Sequence, residues 1–328
     1  MRAVQFTDFG DYDRLQVAEL PIPDPAPGQV LVKMTAAAIN PLDDLIRRGI
    51  VSTPGSKLPM ILGNEGAGVI VAAETEHALG THVMFKQAYN LPCGGTWQEY
   101  VLAPQQAVIS LPDEKSDLEA AALRSAYDAA YLSLIYRGGF QSGQVILAPG
   151  VGGAVGNATI QLGYALGAAR VLTTAGSTAK AQKAREFGYK DVIDLSQESL
   201  SEAVARLTNH EGVDLAIDSL GGDITGQALA SLKTGGTLVL LGNSAGPRAS
   251  FDIAHDFLTK NTNIVGHRTI TTPPEVREQS FKAIFDLWTA GHIQPMIDRT
   301  FPLAQAAEAQ RYQIEGRPFG KVLLTFVL

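Results

Sequence analysis

The residues most able to do chemistry lie in Gln144-Val-Ile-Leu-Ala-Pro-Gly-Val-Gly-Gly-Ala-Val-Gly156. Val145, Ile146 and Leu147 read as a buried strand. Gly150, Gly152, Gly153 and Gly156 read as a tight turn. Ala158, Leu162, Ala165 and Leu166 then recur at helical spacing. A strand, a glycine turn and a helix in this order form a phosphate cradle. Backbone N–H groups can approach an anion there, and the positive end of the helix dipole faces the same point. Gly152, Gly153, Ala154, Val155 and Gly156 are the candidate cofactor contacts.

A second position bears on which dinucleotide fits. Units that bind NAD place Asp or Glu at the end of the second strand, about 20 residues beyond the glycines, to hold the ribose 2′-OH. Ala175 falls there, followed by Gly176, Ser177, Thr178, Ala179 and Lys180. No carboxylate repels a 2′-phosphate. Ser177 offers a hydroxyl and Lys180 a compact positive charge. Taken alone, Ser177 reads as a helix cap and Lys180 as a solvated side chain. With Ala175 beside them, the reading is NADPH.

Other chemistries find little support. No Gly-x-Ser-x-Gly lies at a strand-to-helix turn, so a hydrolase is not indicated. The single cysteine, Cys93, allows no disulfide within the chain. The six histidines lack ligand-like spacing, and His77 and His82 read as surface residues. The net charge of −7 disfavours general nucleic-acid binding. No apolar run approaches the ~20 residues of a membrane helix, and no signal peptide is read at the N-terminus. The expectation is a cytoplasmic protein without membrane or nucleic-acid partners.

The elements that must position these residues fall into two groups. Met1–Phe6, Val30–Ala37, Val69–Ala73, Thr81–Phe85 and Trp97–Leu102 read as strands of a small barrel-like domain. From Ser116 onward helix and strand alternate. Helices are expected over Asp117–Arg137, Asn157–Gly167, Ala179–Phe187, Leu200–Asn209 and Ile224–Leu232. Strands are expected over Gln144–Ala148, Arg170–Thr174, Asp191–Leu195, Val213–Asp218, Gly236–Leu241 and Asn263–Gly266. This alternation means βαβ units and a parallel sheet. A long helix (Pro274–Ala290), a segment over Pro302–Glu315 and the apolar Gly320–Leu328 follow, the last returning to the first domain. The fold class is α/β, a Rossmann doubly wound sheet with a β-rich domain. The expected boundaries are 1–117 with 268–328, and 118–267.

Several stretches resemble one family in order and spacing. They are Ala36-Ala-Ala-Ile-Asn-Pro-Leu-Asp43, Ile46-Arg-Arg-Gly49, Gly63-Asn-Glu-Gly-Ala-Gly68, the turn at Gly150–Gly156, Thr174-Ala-Gly-Ser177, Asp218-Ser-Leu-Gly221, Leu241-Gly-Asn243 and Gly320-Lys-Val-Leu-Leu324. The pattern resembles the medium-chain dehydrogenase/reductase superfamily, in its zinc-independent, quinone-oxidoreductase-like branch. The resemblance implies a GroES-like, barrel-type substrate domain. It assigns Ser177 and Lys180 to the NADPH 2′-phosphate, although Leu195 stands where relatives often carry a tyrosine. Zinc alcohol dehydrogenases place cysteine and histidine where this chain has Asn40 and Asn64, so no metal is expected. Asn40 is then the candidate catalytic residue on the substrate side of the nicotinamide, and Asp43 could orient it or serve as a helix N-terminal carboxylate.

Gly242, Asn243 and Lys321 are further candidate cofactor contacts. Arg124 reads as a surface arginine, with a substrate anion clamp as the alternative. His267 reads as an interface histidine, with proton donation as the alternative. The implied function is NADPH-dependent hydride transfer to a quinone or α,β-unsaturated carbonyl, by a homodimer. Two rivals are an enoyl-thioester reductase, with Arg47, Arg48 and Lys57 as a basic rim, and a non-catalytic NADPH-binding protein.

Overall fold

In the computed structural model, residues 1–52, 57–73, 78–86 and 91–326 are described; His77 lies outside them. The chain divides into two compact units, Met1–Ser125 with Pro295–Leu328, and Ala126–Gln294. The limits differ from the expected 1–117 with 268–328 and 118–267. The second unit starts later and keeps the helix Pro274–Thr289.

The first unit is β-rich. Its larger sheet runs in the order Ile297–Pro302, Lys321–Thr325, Gln29–Ile39, Gly66–Ala73, His82–Phe85 and Val108–Ser110, with Tyr100–Pro104 also pairing Gln29–Ile39. A smaller sheet joins Gln16–Glu19, Arg2–Phe6 and Met60–Ile61. Val4, Phe6, Val32, Met34, Ile70, Phe85, Trp97 and Val322 belong to one buried core. The closing strand Lys321–Thr325 pairs antiparallel with Gln29–Ile39, so the C-terminal segment does return to the first domain. Gly66 and Gly68 let the neighbouring strand come close: a Cβ on Gly68 would lie 2.2 Å from the Lys33 carbonyl oxygen.

The second unit holds a six-stranded sheet. Its strands are β1 (Val145–Ala148), β2 (Arg170–Ala175), β3 (Asp191–Asp194), β4 (Val213–Asp218), β5 (Leu232–Leu240) and β6 (Asn263–Gly266). All pairs are parallel, in the order β3-β2-β1-β4-β5-β6. This is the doubly wound order of dinucleotide-binding sheets. The crossover helices are α1 (Ala154–Ala165), α2 (Thr178–Glu186), α3 (Leu200–Leu207) and α4 (Asp223–Ala230). Leu147, Leu172, Ile193, Ala216 and Leu238 are fully buried from five adjacent strands.

Two details depart from the expected elements. The helix from Asp117 is regular only to Tyr131; Leu132–Arg137 widens into a π-helical turn. α1 begins at Ala154, three residues before the expected Asn157, with Gly153 as its N-cap. The earlier start brings the glycine turn and the helix N-terminus into direct succession.

Candidate functional site

The glycine turn is tight and closely packed. Gly150 adopts φ +84°, a left-handed conformation that favours glycine. Its N–H donates to Thr174 Oγ1 at 2.9 Å, and the Val151 N–H donates to the Thr174 carbonyl, also at 2.9 Å. Thr174, near the end of β2, thereby pins the turn. A Cβ on Gly156 would lie 2.3 Å from the Gly150 oxygen, so α1 can pack onto the turn only with glycine there. No side chain caps α1 at Gly153. The first-turn amides, including those of Ala154, Val155 and Gly156, therefore have no side-chain acceptor at the cap and fit an anionic ligand.

At the end of β2, Ser177 is the N-cap of α2, and its Oγ accepts from the Lys180 N–H at 3.4 Å. The helix-cap reading is therefore present. It leaves the serine proton available to a ligand oxygen. At the other strand ends, a Cβ on Gly242 would sit 2.3 Å from the Ser219 oxygen, which explains glycine there by packing. Asn243 is exposed, and its carbonyl accepts from Gly246. His267, just beyond β6, is buried, and its Nε2 lies 3.4 Å from Thr269 Oγ1. Burial, then the charge of Arg137, pushes its imidazole down to about 4. It is neutral at neutral pH.

The first unit gathers a second constellation. Gln29–Ile39 ends next to Asn40, Gly66–Ala73 begins next to Glu65, and Lys321 opens the closing strand. The register pairs Val322 with Ile39 and Ala37 with Gly66, which brings the three strand ends together. Asn40 Nδ2 donates to Asn64 Oδ1 at 2.8 Å and to Glu65 Oε1 at 2.9 Å. Lys321 Nζ donates to Asn40 Oδ1 at 2.7 Å and also to Glu65 Oε1. Glu65 Oε2 accepts from the Ser125 N–H at 2.7 Å. Relative exposures of 1% for Glu65, 3% for Lys321 and 6% for Asn40 make this a buried ion pair wrapped by amides.

Asp43 supports the cluster from the helix Pro41–Arg47. Its Oδ2 accepts from the Asn40 N–H at 2.7 Å and its Oδ1 from the Gly63 N–H at 3.3 Å. It thus fills both roles left open by sequence, holding Asn40 and occupying the first turn of the helix. Burial pushes its carboxyl up to about 7, with Glu65 adding to the rise. The Asn40 and Gly63 amides and Lys321 act in the opposite sense.

Tetrahedral zinc needs thiolate, imidazole or carboxylate donors. Asn40 and Asn64 instead bond each other. Among the described residues, no group of three or more His, Cys, Asp and Glu side chains could hold a metal ion.

Three other positions are settled by the geometry. Arg124 is buried rather than on the surface, because the helix Asp117–Tyr131 is buried on nearly every side, Ala120, Ala121, Ala122 and Leu123 included. Arg47 is 1% exposed; it donates to Gln310 Oε1 at 2.7 Å, to Asp44 Oδ1 and to the Gly10 carbonyl, and lies 4.3 Å over the Tyr12 ring. It is a packing residue, unavailable to a ligand phosphate. His82 is exposed, as expected, and pairs with Asp117 at 2.9 Å.

Glu65 was not singled out from sequence. The available signal was a lone carboxylate inside the otherwise uncharged, glycine-rich Gly63–Gly68 stretch. Such a charge in a buried strand start requires a cationic partner.

Comparison with known proteins agrees with this architecture. Residues 26–113 match the family model of the alcohol dehydrogenase GroES-like domain, and residues 154–287 that of zinc-binding dehydrogenase. The human synaptic vesicle membrane protein VAT-1 homolog is 30% identical over 99% of this chain and 86% of its own length. Human quinone oxidoreductase is 28% identical over 99% of this chain and 97% of its own. The chain belongs to the quinone-oxidoreductase-like branch of the medium-chain dehydrogenase/reductase superfamily. The solved structure of Escherichia coli quinone oxidoreductase complexed with NADPH superposes with a TM-score of 0.85 at 26% identity, covering 99% of this chain and 100% of that one. The first unit carries the buried polar cluster and the second the glycine turn.

Proposed function

We propose that this chain is an NADPH-dependent oxidoreductase that transfers hydride to a quinone or an α,β-unsaturated carbonyl without zinc. The observation that supports the reading is the Asn40–Asn64–Glu65–Lys321 cluster, whose amides and ammonium–carboxylate pair are bonded to one another. Without a Lewis acid, a simple ketone is a poor hydride acceptor. A conjugated acceptor delocalises the charge it gains and needs less help.

When bound, NADPH supplies the hydride. The first-turn amides of α1, with Gly152, Gly153 and Gly156, hold its pyrophosphate, and Ser177 with Lys180 holds the 2′-phosphate. Gly242 and Asn243 border the coenzyme at the end of β5. Both amide protons of Asn40 are given to Asn64 and Glu65, so its role is to position Lys321 through Oδ1. The Lys321 ammonium, with three donors, is the cationic end of the cluster and the candidate partner for a developing oxyanion. Glu65 is that ammonium's buried counter-charge.

The enoyl-thioester reading loses one of its three basic residues, since Arg47 is committed within the fold; Arg48 and Lys57 are exposed. We further infer a homodimer in which two β6 edges continue one sheet. β6 is an edge strand, and Ile264 on it and Ile253, Leu258 and Ile270 nearby are exposed. No helix among the described residues is long and apolar enough to cross a membrane, and one cysteine suits a reducing cytoplasm.

Stopped-flow loss of nicotinamide absorbance with quinones, enones and enoyl thioesters tests the reading. Turnover of the quinones or enones supports it. Turnover of thioesters alone favours the first rival. Tight NADPH binding with no turnover favours the binding protein.

A further inference from the structure

The end of β3 carries a carboxylate that the proposed reading does not use. Asp194 is the last residue of β3 and pairs with Ala175 of β2 across the parallel ladder. Its side chain turns toward the start of α2. Thr178 Oγ1 donates to its Oδ2 at 2.7 Å. Ser196 donates to its Oδ1 twice, through Oγ at 2.6 Å and through N at 3.0 Å. The two hydroxyls, Ser196 first and Thr178 next, hold the carboxyl below its ordinary range. Asp194 is therefore an anion at neutral pH.

Both hydroxyl protons are spent on that carboxylate, so Thr178 and Ser196 offer an incoming phosphate only lone pairs. Ser177, next in the chain to Thr178, accepts from the Lys180 N–H and still has its own proton to give. Leu195, next to Asp194, donates no side-chain hydrogen bond. The subsite at the end of β2 is thus bordered by a fixed negative charge one strand away.

We propose that Asp194 is a specificity-determining residue for the coenzyme, whose charge tempers the preference for NADPH over NADH that Ser177 and Lys180 create. The inference rests on the reading of those two residues as the 2′-phosphate subsite. The carboxylate lies 2.7 Å from the Thr178 hydroxyl, and Thr178 follows Ser177 by one residue, about 3.8 Å along the chain, so a phosphate held at Ser177 is on the order of 8 Å from it. Water weakens repulsion at that range, and salt screens it over about 8 Å at physiological ionic strength. The effect on NADPH affinity is on the order of three- to tenfold. NADH, which lacks the phosphate, is nearly indifferent.

The test titrates NADPH and NADH separately, by nicotinamide fluorescence, at low and high salt. The proteins are wild type, Asp194→Asn, Asp194→Ser, Asp194→Glu and the double variant Ser177→Ala with Lys180→Ala. The neutral variants should raise the NADPH-to-NADH affinity ratio about three- to tenfold, more at low salt. Asp194→Glu should keep the wild-type ratio. Should Asp194→Asn fail to fold, Asp194→Ser carries the comparison. An unchanged or lower ratio in the neutral variants, with selective loss of NADPH in the double variant, overturns this inference alone. Equal weakening of both coenzymes in the double variant removes the subsite and the inference together.

Discussion

Replacing Lys321 with methionine should be among the most damaging single changes in the first unit. The ammonium is 3% exposed and bonds Glu65, itself 1% exposed. Methionine fills similar space but leaves the Glu65 carboxylate buried without its counter-charge. Removing one partner of a buried ion pair costs about 3–5 kcal/mol. Loss of the 2.7 Å bond to Asn40 Oδ1 adds about 1 kcal/mol. The remaining Ser125 N–H and Asn40 Nδ2 donors offset part of that sum. The net expectation is about 3–5 kcal/mol, read as a shift in the urea midpoint at unchanged slope. Adding Glu65→Gln should recover part of the loss, because the orphaned charge is gone. If Lys321→Met costs less than about 1 kcal/mol, or if the second substitution deepens the loss, the buried-pair argument fails.

Four further outcomes follow from the same geometry. Asp43 has a folded pKa of about 7 against an ordinary 3.8, so between those values the folded chain binds more protons than the unfolded one. Its stability contribution is present in acid and lost as pH rises through about 7; urea titrations should show the wild-type advantage over Asp43→Asn shrinking across that window. His267, pushed down to about 4, should show no imidazole titration by NMR between about pH 7 and about pH 5. Gly156→Ala would set a Cβ 2.3 Å from the Gly150 oxygen, and calorimetry should find NADPH bound at least roughly tenfold more weakly. Ile264→Lys on the β6 edge should convert a sedimenting dimer to monomer; a wild-type monomer would refute the edge-pairing proposal.

Much of the parallel sheet was legible in sequence because its strands are buried on both faces and read as apolar runs between helices. β5 was not fully legible. It starts at Leu232, and Gly235-Gly236 within it reads as a turn. The start of α1 was hidden for a related reason: Gly156 is a poor helix former, yet only glycine fits against Gly150. The strand Ile297–Pro302 escaped notice because Asp298, Arg299 and Thr300 interrupt its apolar character. In the site, Asn40 was legible by family pattern. The pairing of Glu65 with Lys321 was not. They are 256 residues apart, and only the register of antiparallel strands brings them together. Arg47 and Arg124 show the converse error, since charge alone does not reveal which arginines a fold will bury.

In the proposed reaction electrons reach a conjugated acceptor from NADPH with no metal taking part. Its most direct measurement is single-turnover NADPH oxidation by a quinone, before and after exhaustive chelation, with zinc quantified in both samples. Equal rates in the two samples are expected, with no stoichiometric zinc in either and no reduction of an unconjugated ketone. A rate that falls on chelation and returns with added zinc would contradict the proposal.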